Sequence, residues 1–322
     1  MESCPLVTIG VPIYGVEQYI ERCARSLFEQ SYHNIEYIFV NDCTKDSSIN
    51  VLQRVLIDYP DRVGRVKIIN HMKNRGLGAA RNTAVDNATG KFLMWVDSDD
   101  YIDRLTVEKI LKKQKENDAD IVSFDYMEFY GEKKMNACRS TSLGNRTSWK
   151  FDIISRKEPT MIWGRLIRLS LYKENHLFVE EGVNMGEDYQ IIPRLFYYAV
   201  KTDELHEFLY YYNKTNVESY CSKFSEQKAD QSLRSVAIVK DFFIDKGEEF
   251  RRAVSIAEAK TLAMYTRGAV HSSNKKYYSR LKKKINLIPR EIVQCLKKED
   301  RAIFLVNNYM VLKFVDFLKN AL

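Results

Sequence analysis

The chain has 322 residues, of which 45% are hydrophobic and 29% are charged, and its formal net charge is +7. This length fits about two domains, and the composition excludes wholesale disorder and a fibrous or low-complexity chain. The charge is uneven, because residues 271–322 carry 12 Lys and Arg against 4 acids, a net +8, which leaves −1 for the first 270 residues. A nucleic-acid-binding enzyme is usually basic across its working face, so this distribution argues against one.

Six cysteines lie at scattered positions without a C-x-x-C pair, which is typical of a reduced protein and not of a disulfide-stabilised secreted one. The first apolar run, Leu6–Ile13, follows no basic segment and is interrupted by Gly10 and Pro12. It therefore predicts a strand and not a signal peptide. No apolar run approaches the roughly 18 residues of a membrane-spanning helix. We therefore expect a cytoplasmic protein without a transmembrane segment.

Short β-rich apolar runs and helical patterns alternate through the first 130 residues. The predicted strands are Leu6–Ile13, Ile35–Asn41, Val66–Asn70, Phe92–Val96 and Ile121–Tyr126. The predicted helices between them are Val16–Gln30, Ser48–Asp58, Gly76–Ala88 and Asp103–Asn117. This alternation predicts an α/β fold, with a mostly parallel, Rossmann-like sheet and helices on both faces. Ligands of such sheets bind beyond the carboxyl ends of the strands, so residues just after each strand are candidates for chemistry.

The pattern becomes helical in the last third of the chain. Before that point it predicts a polar loop over Gly131–Ser148, helices over Thr160–Glu174 and Glu187–Val200, and a strand over Glu204–Asn213. The later helices are roughly Glu226–Lys246, Glu248–Val270, Lys275–Ile285, Pro289–Lys297 and Ala302–Leu318. We therefore expect an α/β domain over residues 1–222 and a helical C-terminal domain over residues 223–322.

A carboxylate follows the second predicted strand at the sheet edge. Asp42 comes too early in the chain to cap the next helix, whereas Asp46 and Ser47 are good N-cap candidates. A carboxylate at the end of a strand could bind a base imide or a ribose hydroxyl.

A glycine-rich helix start follows the third predicted strand. Gly76 and Gly78 open the helix, Arg75 precedes it, and Arg81 lies one turn inside. Taken alone, this pattern is a weak phosphate loop, because the N–H groups of a helix start can bind an anion. The spacing is not G-x-x-x-x-G-K-[ST], which excludes a P-loop NTPase. The alternative is a helix start without a ligand.

Three carboxylates follow the fourth predicted strand within four residues. Asp100 is placed to cap the next helix, which leaves Asp97 and Asp99 to be explained. Hard oxygen ligands on a short turn suit Mg²⁺ or Mn²⁺ that also bridges a diphosphate. An exposed acidic turn is the alternative, since a lone D-x-D is short and frequent.

Two adjacent acids, Glu187 and Asp188, open the helix predicted at residue 187. The helix dipole favours negative charge at this position whatever the function of the residues. The functional alternative is a general base held at the helix start near the sheet edge.

Taken together and in order, six segments resemble the family 2 glycosyltransferases with a GT-A fold. They are Val7–Tyr14, Val40–Asp42, Asn74–Asn82, Val96–Asp100, Trp163–Leu166 and Glu187–Asp188. The family's counterparts are its opening strand, V-D-D, N-x-G…A-R-N, D-x-D, W-x-K-L and E-D. Gly15, Asn41 and Arg165 depart from the Asn, Asp and Lys usual there. The resemblance covers about residues 5–220 and depends on the order and spacing of the motifs.

This resemblance implies an inverting, metal-dependent enzyme that transfers a sugar from a nucleotide sugar, most often a UDP-sugar, to a hydroxyl. It implies that Asp188 is the general base beside Glu187, and that Mn²⁺ or Mg²⁺ is held chiefly by Asp99 with Asp97 nearby. The implied donor site comprises Pro12, Tyr14, Asp42, Arg75, Arg81, Asp97 and Ser98. The two arginines could instead form ion pairs with the D-x-D turn.

Three other classes of protein compete with this interpretation. A sugar-1-phosphate nucleotidyltransferase has a G-x-G-[TS]-R segment after its first strand, where this chain has Ile13–Glu17. A non-catalytic binding protein of GT-A fold is disfavoured by the intact Asp97, Asp99 and Asp188. A nucleic-acid-binding protein is supported by no zinc or RNP-type motif.

The acceptor is expected to be a glycan or a lipid-linked saccharide. Candidate acceptor-selecting segments are the Gly131–Ser148 loop, the aromatic runs Phe196–Tyr198 and Tyr210–Tyr212, and the helical tail, although core packing is favoured for most of the aromatics. In the tail, Lys and Arg residues alternate with aliphatic and aromatic residues, which is typical of helices that lie on an anionic membrane. The alternative is a solvated basic face that packs against the body or against a second subunit of a homodimer.

Overall fold

The computed structural model describes residues 4–131, 134–139, 148–216 and 224–321, and for 317–321 only the backbone. The chain divides into two compact units, one comprising residues 1–146 and 159–218 and the other residues 147–158 and 219–322. None of the helices in the described ranges combines the length and the hydrophobicity needed to cross a bilayer.

The first unit is an α/β unit, and the second consists of helices. The strands are β1 Val7–Ile13, β2 Ile35–Asn41, β3 Val66–Asn70, β4 Phe92–Trp95, β5 Tyr101–Ile102, β6 Ile121–Phe129, β7 Met135–Cys138, β8 Arg165–Arg168 and β9 Thr202–Asn213. The helices up to residue 198 are α1 Ile20–Phe28, α2 Ser48–Ile57, α3 Pro60–Val63, α4 Leu77–Asn87, α5 Thr106–Asn117, α6 Trp149–Ile154, α7 Ser170–Lys173 and α8 Glu187–Tyr198. The later helices are α9 Glu226–Phe242, α10 Glu248–His271, α11 Lys275–Ile285, α12 Arg290–Gln294, α13 Lys298–Val306 and α14 Tyr309–Ala321.

The strands of the first unit form one mixed sheet in the order β3-β2-β1-β4-β8-β6-β9-β5, with β7 paired to β6. Strands β3, β2, β1 and β4 are parallel, which agrees with the βαβ pattern of the sequence. Strand β8 runs antiparallel between β4 and β6, so the second half of the sheet is mixed. Strand β1 is buried along its whole length, as expected for a central parallel strand covered on both faces.

The helix predicted over Thr160–Glu174 is wrong. This segment contains strand β8 and only the short helix α7. Leu166 pairs with Met94 of β4 on one side and with Val122 of β6 on the other. A short apolar run does not distinguish a strand from a buried helix by its spacing. Pairing on both edges decides the outcome, because it satisfies the backbone hydrogen bonds of β8 within the sheet.

The predicted Gly131–Ser148 loop is partly structured. Residues 135–138 form β7 and pair with β6 as an antiparallel hairpin strand. Residues 132–133 and 140–147 lie outside the described part of the chain.

The second unit is organised around the long helix α10, which contacts α6, α9, α11, α12, α13 and α14. Its core includes Leu262 and Ala263 of α10, Leu281 of α11, Ile303 of α13 and Leu312 of α14. The single helix predicted over Ala302–Leu318 is two helices, since Asn307 adopts a left-handed conformation with φ +37° and ends α13. Asparagine tolerates this conformation better than most residues.

Candidate active site

The carboxyl ends of β1, β2 and β4 lie at one edge of the sheet because these strands pair in parallel. Ile13 at the end of β1 is directly opposite Asn41 at the end of β2. Pro12 is buried within β1, whereas Tyr14, which follows the strand, is 52% exposed. This edge therefore offers an accessible aromatic ring next to the segment that contains Asp42.

Asp42 is buried, and its carboxylate holds the loop that follows β3. It accepts hydrogen bonds from the backbone N–H groups of Arg75 at 2.8 Å and Gly76 at 2.7 Å. Its Oδ1 lies 2.7 Å from Nδ1 of His71, whose Nε2 lies 2.9 Å from Oγ1 of Thr83. Asp42 thus fixes the loop before α4 in addition to any contact with a ligand. No motif in the sequence indicated His71, and its position directly after β3 was the available signal.

Gly76 brings the loop before α4 against the loop before α8. Its φ of +89° and ψ of +166° lie in a region that is essentially restricted to glycine. A Cβ atom at this position would lie 2.2 Å from Oδ1 of Asn184. The same Oδ1 accepts a weak hydrogen bond from the Gly78 N–H at 3.4 Å. The glycine-rich segment therefore allows close contact between the loop that carries Arg75 and the loop that leads into Glu187 and Asp188.

The Gly76→Ala substitution is expected to lower the free energy of unfolding by about 1–3 kcal/mol, because alanine is strained at this φ and ψ. Gly64→Ala is the matched control, since Gly64 has φ −69° and a Cβ added there would meet no atom within 4 Å. The control is expected to leave stability unchanged or raise it by up to about 1 kcal/mol. Urea denaturation of both variants measures the difference, and equal midpoints would contradict the strain at Gly76.

Arg81 joins three predicted site carboxylates. Its side chain reaches from α4 and is 3% exposed. Its Nη2 lies 3.0 Å from Oδ1 of Asp97, 3.7 Å from Oε1 of Glu187 and 3.8 Å from Oδ1 of Asp188. Burial opposes its charge, but the carboxylates of Asp97, Asp188 and Glu187 raise the pKa of Arg81 overall, so the guanidinium stays protonated. One buried cation thus links the turn after β4 to the start of α8.

The pKa values of the two acids at the start of α8, Glu187 and Asp188, are raised. Burial raises the pKa of Asp188 to about 6, and the charge of Asp97 adds to this effect while Arg81 opposes it. Burial and the charge of Asp188 raise the pKa of Glu187 well above its usual range. Glu187 is buried, whereas the side chain of Asp188 is 25% exposed, and its Oδ1 is a buried atom without a hydrogen-bond partner among the described residues. Asp188 is therefore the accessible carboxyl of the pair.

The three carboxylates after β4 have different environments. Asp100 is fully buried and accepts hydrogen bonds from the Tyr210 hydroxyl at 2.6 Å and the Asn213 N–H at 2.7 Å. Asp99 accepts one from Nδ2 of Asn216 at 2.9 Å, and burial and the charge of Asp97 raise its pKa. Asp100 is thus a structural residue that ties the turn to β9, while Asp97 and Asp99 remain available to a ligand.

The carboxylate oxygens of this turn are too few to hold a cation by themselves. They fit a cation that a bound ligand would also help to hold. Among the described residues, no group of three or more His, Cys, Asp or Glu side chains is arranged to hold a metal ion. The carboxylates of Asp97 and Asp99 on one turn, with the pKa of Asp99 raised by burial and by the charge of Asp97, would suit a Mg²⁺-type ion, which prefers oxygen ligands.

Three other residues of the predicted motifs, Arg75, Ser98 and Arg165, differ in their exposure. Arg75 is partly exposed and forms an ion pair with Glu181. Ser98 is buried within the acidic turn. Arg165 of the W-G-R-L segment is fully buried, and desolvation lowers its pKa to about 10, although the charge of Asp188 opposes the shift. Arg165 thus adds a second buried cation whose field acts on Asp188.

The mixed sheet, with parallel strands β3, β2, β1 and β4 followed by antiparallel β8, has the architecture of the GT-A class of α/β folds. The sequence model of the family described as Glycosyl transferase family 2 matches residues 8–173, just over half of the chain. The chain belongs to this family. The uncharacterized glycosyltransferase EpsJ of Bacillus subtilis is 31% identical over 216 residues, which cover 65% of this chain and 61% of EpsJ. The chain thus spans less than two thirds of the length of this relative.

Two solved structures confirm the fold. TarS of Staphylococcus aureus, a poly(ribitol-phosphate) β-N-acetylglucosaminyltransferase, is 26% identical over 207 residues, which cover 64% of this chain and 35% of TarS. The crystal structure of TarS 1–349 in complex with UDP-GlcNAc matches with a TM-score of 0.74 and 19% identity, over 97% of this chain and 89% of that chain. The mannosyltransferase PcManGT from Pyrobaculum calidifontis, in complex with GDP-Man and Mn²⁺, matches with a TM-score of 0.53 and 16% identity, over 98% and 88%. The predicted GT-A fold with a helical C-terminal region is confirmed.

Proposed function

We propose that this chain is an inverting glycosyltransferase that transfers a sugar from a nucleotide-diphosphate sugar, with UDP as the favoured nucleotide, to an acceptor hydroxyl. The observation that carries the proposal is the linkage of Asp188 to the D-x-D turn through Arg81. Asp97 and Asp188 both lie within 4 Å of Nη2 of Arg81, and this proximity supports a base and a diphosphate site close to each other. The match to TarS in complex with UDP-GlcNAc supports the choice of UDP.

The proposed reaction is a single in-line displacement at the anomeric carbon. Asp188 accepts the proton of the acceptor hydroxyl while the oxygen of that hydroxyl forms the new glycosidic bond. The bond between the anomeric carbon and the diphosphate oxygen breaks, and its electron pair leaves with the nucleoside diphosphate. The raised pKa of Asp188, about 6, suits a base that works near neutral pH, because the group is mostly ionised there and still binds a proton readily.

The leaving group would be held by a divalent cation, Mn²⁺ or Mg²⁺, at Asp99 with Asp97 nearby. Such an ion neutralises the charge of a departing diphosphate and orients it. The PcManGT complex with GDP-Man and Mn²⁺ supports a metal in this fold. Asp97 is also held by Arg81 at 3.0 Å, which fixes the carboxylate before any ligand arrives.

The remaining donor contacts are proposed along the same edge. Tyr14 offers an exposed ring against which the nucleobase can stack. Asp42 has oxygen lone pairs that its hydrogen bonds to the loop do not use, and these could accept from the uracil or the ribose. The backbone at Pro12 and the side chains of Arg75 and Ser98 complete the proposed site. Arg81 forms ion pairs with Asp97 and Glu187. These ion pairs support a role for Arg81 in holding the D-x-D turn over direct contact with the pyrophosphate.

The Asp99→Asn substitution is expected to remove metal-stimulated binding of UDP, because an amide replaces the main anionic ligand proposed for the ion. Isothermal calorimetry with UDP, with and without Mn²⁺, measures the effect. Asp103→Asn is the matched control, since Asp103 follows the same turn and uses Oδ1 to accept the Leu105 N–H. Metal-stimulated affinity that survives in the Asp99 variant would exclude this residue as the ligand.

A donor-hydrolysis screen tests the proposed function as a whole. UDP-, GDP- and dTDP-sugars are incubated with the protein and Mn²⁺, and release of the nucleoside diphosphate is measured. Release from a UDP-sugar is the expected result. A non-catalytic GT-A binding protein would bind a nucleotide sugar without releasing the diphosphate, and a sugar-1-phosphate nucleotidyltransferase would form the nucleotide sugar from a nucleoside triphosphate.

The acceptor proposed for this enzyme is a glycan or a lipid-linked saccharide, and TarS is named for transfer to poly(ribitol-phosphate). A lipid-linked acceptor would suit a cytoplasmic protein that binds the inner membrane surface through its basic tail. A homodimer is the alternative use of that tail. The two uses predict different behaviour of the C-terminal helices toward lipid vesicles.

A further inference from the structure

Helix α14 presents an apolar side to solvent. The residues on this side are Met310, Val311, Phe314 and Val315, whose exposed fractions range from 42% for Val315 to 70% for Met310. Spacings of one and four residues place them on one side of the helix. Leu312, on the opposite side, is buried in the core formed with α10 and α11. Helix α14 therefore packs through one side, while the described residues of its unit leave an apolar side exposed.

Two further apolar residues lie at the corner where α11, α13 and α14 meet. Leu287, which follows α11, is 80% exposed, and Leu305 near the end of α13 is 71% exposed. Asn307 Nδ2 donates a hydrogen bond to Asn286 Oδ1 at 2.7 Å, which attaches the α13–α14 link to the end of α11. Leu287 adjoins Asn286, and Leu305 lies two residues before Asn307. Exposed apolar residues are thus present both on α14 and beside the contact between the α13–α14 link and the end of α11.

Lysines border the same corner. Lys282, Lys283 and Lys284 form the last turn of α11. The Leu287 N–H donates to the carbonyl of Lys284 at 3.1 Å, so the most exposed leucine of the corner directly follows the lysine turn. Lys283 and Lys284 are exposed, and neither forms an ion pair with an acid in the described part of the second unit. Positive charge and apolar surface are therefore adjacent.

We propose that a docking face formed by Lys283, Lys284, Leu287, Leu305, Met310 and Phe314 binds an anionic lipid surface. The apolar side chains would enter the boundary between headgroups and acyl chains, and the two ammonium groups would lie at the level of the lipid phosphates. Charge complementarity selects this occupant. A symmetric dimer through the same face would cover the lysines of both copies, and the six residues of the face include no acid that could neutralise them.

The docking face does not include any residue of the proposed active site. If the acceptor is lipid-linked, which depends on the proposed function, docking would bring the enzyme to it. Membrane binding and catalysis can therefore fail independently, and both are measured on the same variants.

Co-sedimentation of the full chain with phosphatidylcholine vesicles, with and without phosphatidylglycerol, tests the proposal. We expect binding only with phosphatidylglycerol and weaker binding at high salt. The Lys283→Gln/Lys284→Gln variant is expected to lose affinity by about fivefold for each lysine removed. Lys275→Gln/Lys276→Gln is the matched control at the other end of α11, and it should lose less. Phe314→Ser should also weaken binding, with Ile244→Ser, an exposed apolar position on another segment, as its control.

Four results would overturn the docking face. They are equal binding to neutral vesicles, no binding to either kind of vesicle, Phe314→Ser without effect on binding, or equal losses in the two lysine variants. A dimer in solution that Phe314→Ser dissociates, together with unchanged vesicle binding, would assign the face to a second copy instead. Donor hydrolysis should be the same in all of these variants, and circular dichroism confirms that each is folded.

Discussion

Replacing Asp188 with asparagine is expected to lower the turnover of sugar transfer by about a hundredfold to ten-thousandfold, the range that a general base contributes. Donor binding should stay near wild type, because Asp188 is proposed to contact the acceptor hydroxyl and not the nucleotide. The fold should also persist. Burial raises the pKa of Asp188 to about 6, so keeping this group ionised costs the folded state free energy at neutral pH, and asparagine removes that cost.

Steady-state kinetics and UDP calorimetry on the same Asp188→Asn preparation separate the two effects. In the wild type, kcat/KM should fall as the pH drops through about 6, because the protonated carboxyl cannot accept a second proton. The variant should lack this acidic limb. Asp61→Asn, an exposed acid in α3, is the matched control and should leave both turnover and its pH dependence unchanged. Undiminished turnover in Asp188→Asn would exclude Asp188 as the base.

Replacing Arg81 with methionine is expected to lower the free energy of unfolding at neutral pH by about 3–5 kcal/mol, the usual cost of removing one partner from a buried ion pair. The loss arises because Asp97, Glu187 and Asp188 would lose the cation that lies within 4 Å of each, so each buried carboxyl would either stay ionised without compensation or take up a proton. Arg54→Met, at an exposed position in α2, is the matched control and should change stability by no more than about 0.5 kcal/mol.

The pH dependence of stability distinguishes lost charge compensation from lost packing in the Arg81→Met variant. The folded-state pKa values of Glu187 and Asp188 already lie above their usual values, and removing Arg81 would raise them further. The folded variant therefore binds protons more readily than its unfolded chain, so its stability relative to wild type should improve as the pH falls toward 5. Urea denaturation over this range measures the trend. A deficit that is independent of pH would indicate packing as its cause.

The elements that the sequence predicts best are those with local signals. The bounds of β2, β3 and α11 agree with the predicted ranges to the residue. Each is a short apolar run or an amphipathic pattern bounded by polar residues, so local spacing is sufficient. β8 differs because its backbone partners come from β4 and β6, which are remote in sequence. The break at Asn307 depends in turn on the left-handed conformation of one residue.

The candidate site likewise has features that local sequence predicts and features that it does not. The motifs identified Asp42, Asp97, Asp99 and Asp188 as candidates from residue type and order alone. They did not show that Asp42 would bind the loop before α4, or that Arg81 would reach three carboxylates at once. Those relations join residues from 16 to 107 positions apart in the chain, and no local pattern encodes such distances.

The sequence by itself determined the family, the α/β order of the first unit and the helical class of the second, because hydrophobic periodicity and motif spacing are local properties. It also placed the excess positive charge in the last 52 residues. Only the tertiary structure decided which acids are structural and which are accessible. Asp100 is buried and accepts hydrogen bonds from Tyr210 and Asn213, while Asp188 keeps a quarter of its side chain exposed. Burial and charge compensation are collective properties of distant segments, and they arise when the sheet and helices pack together.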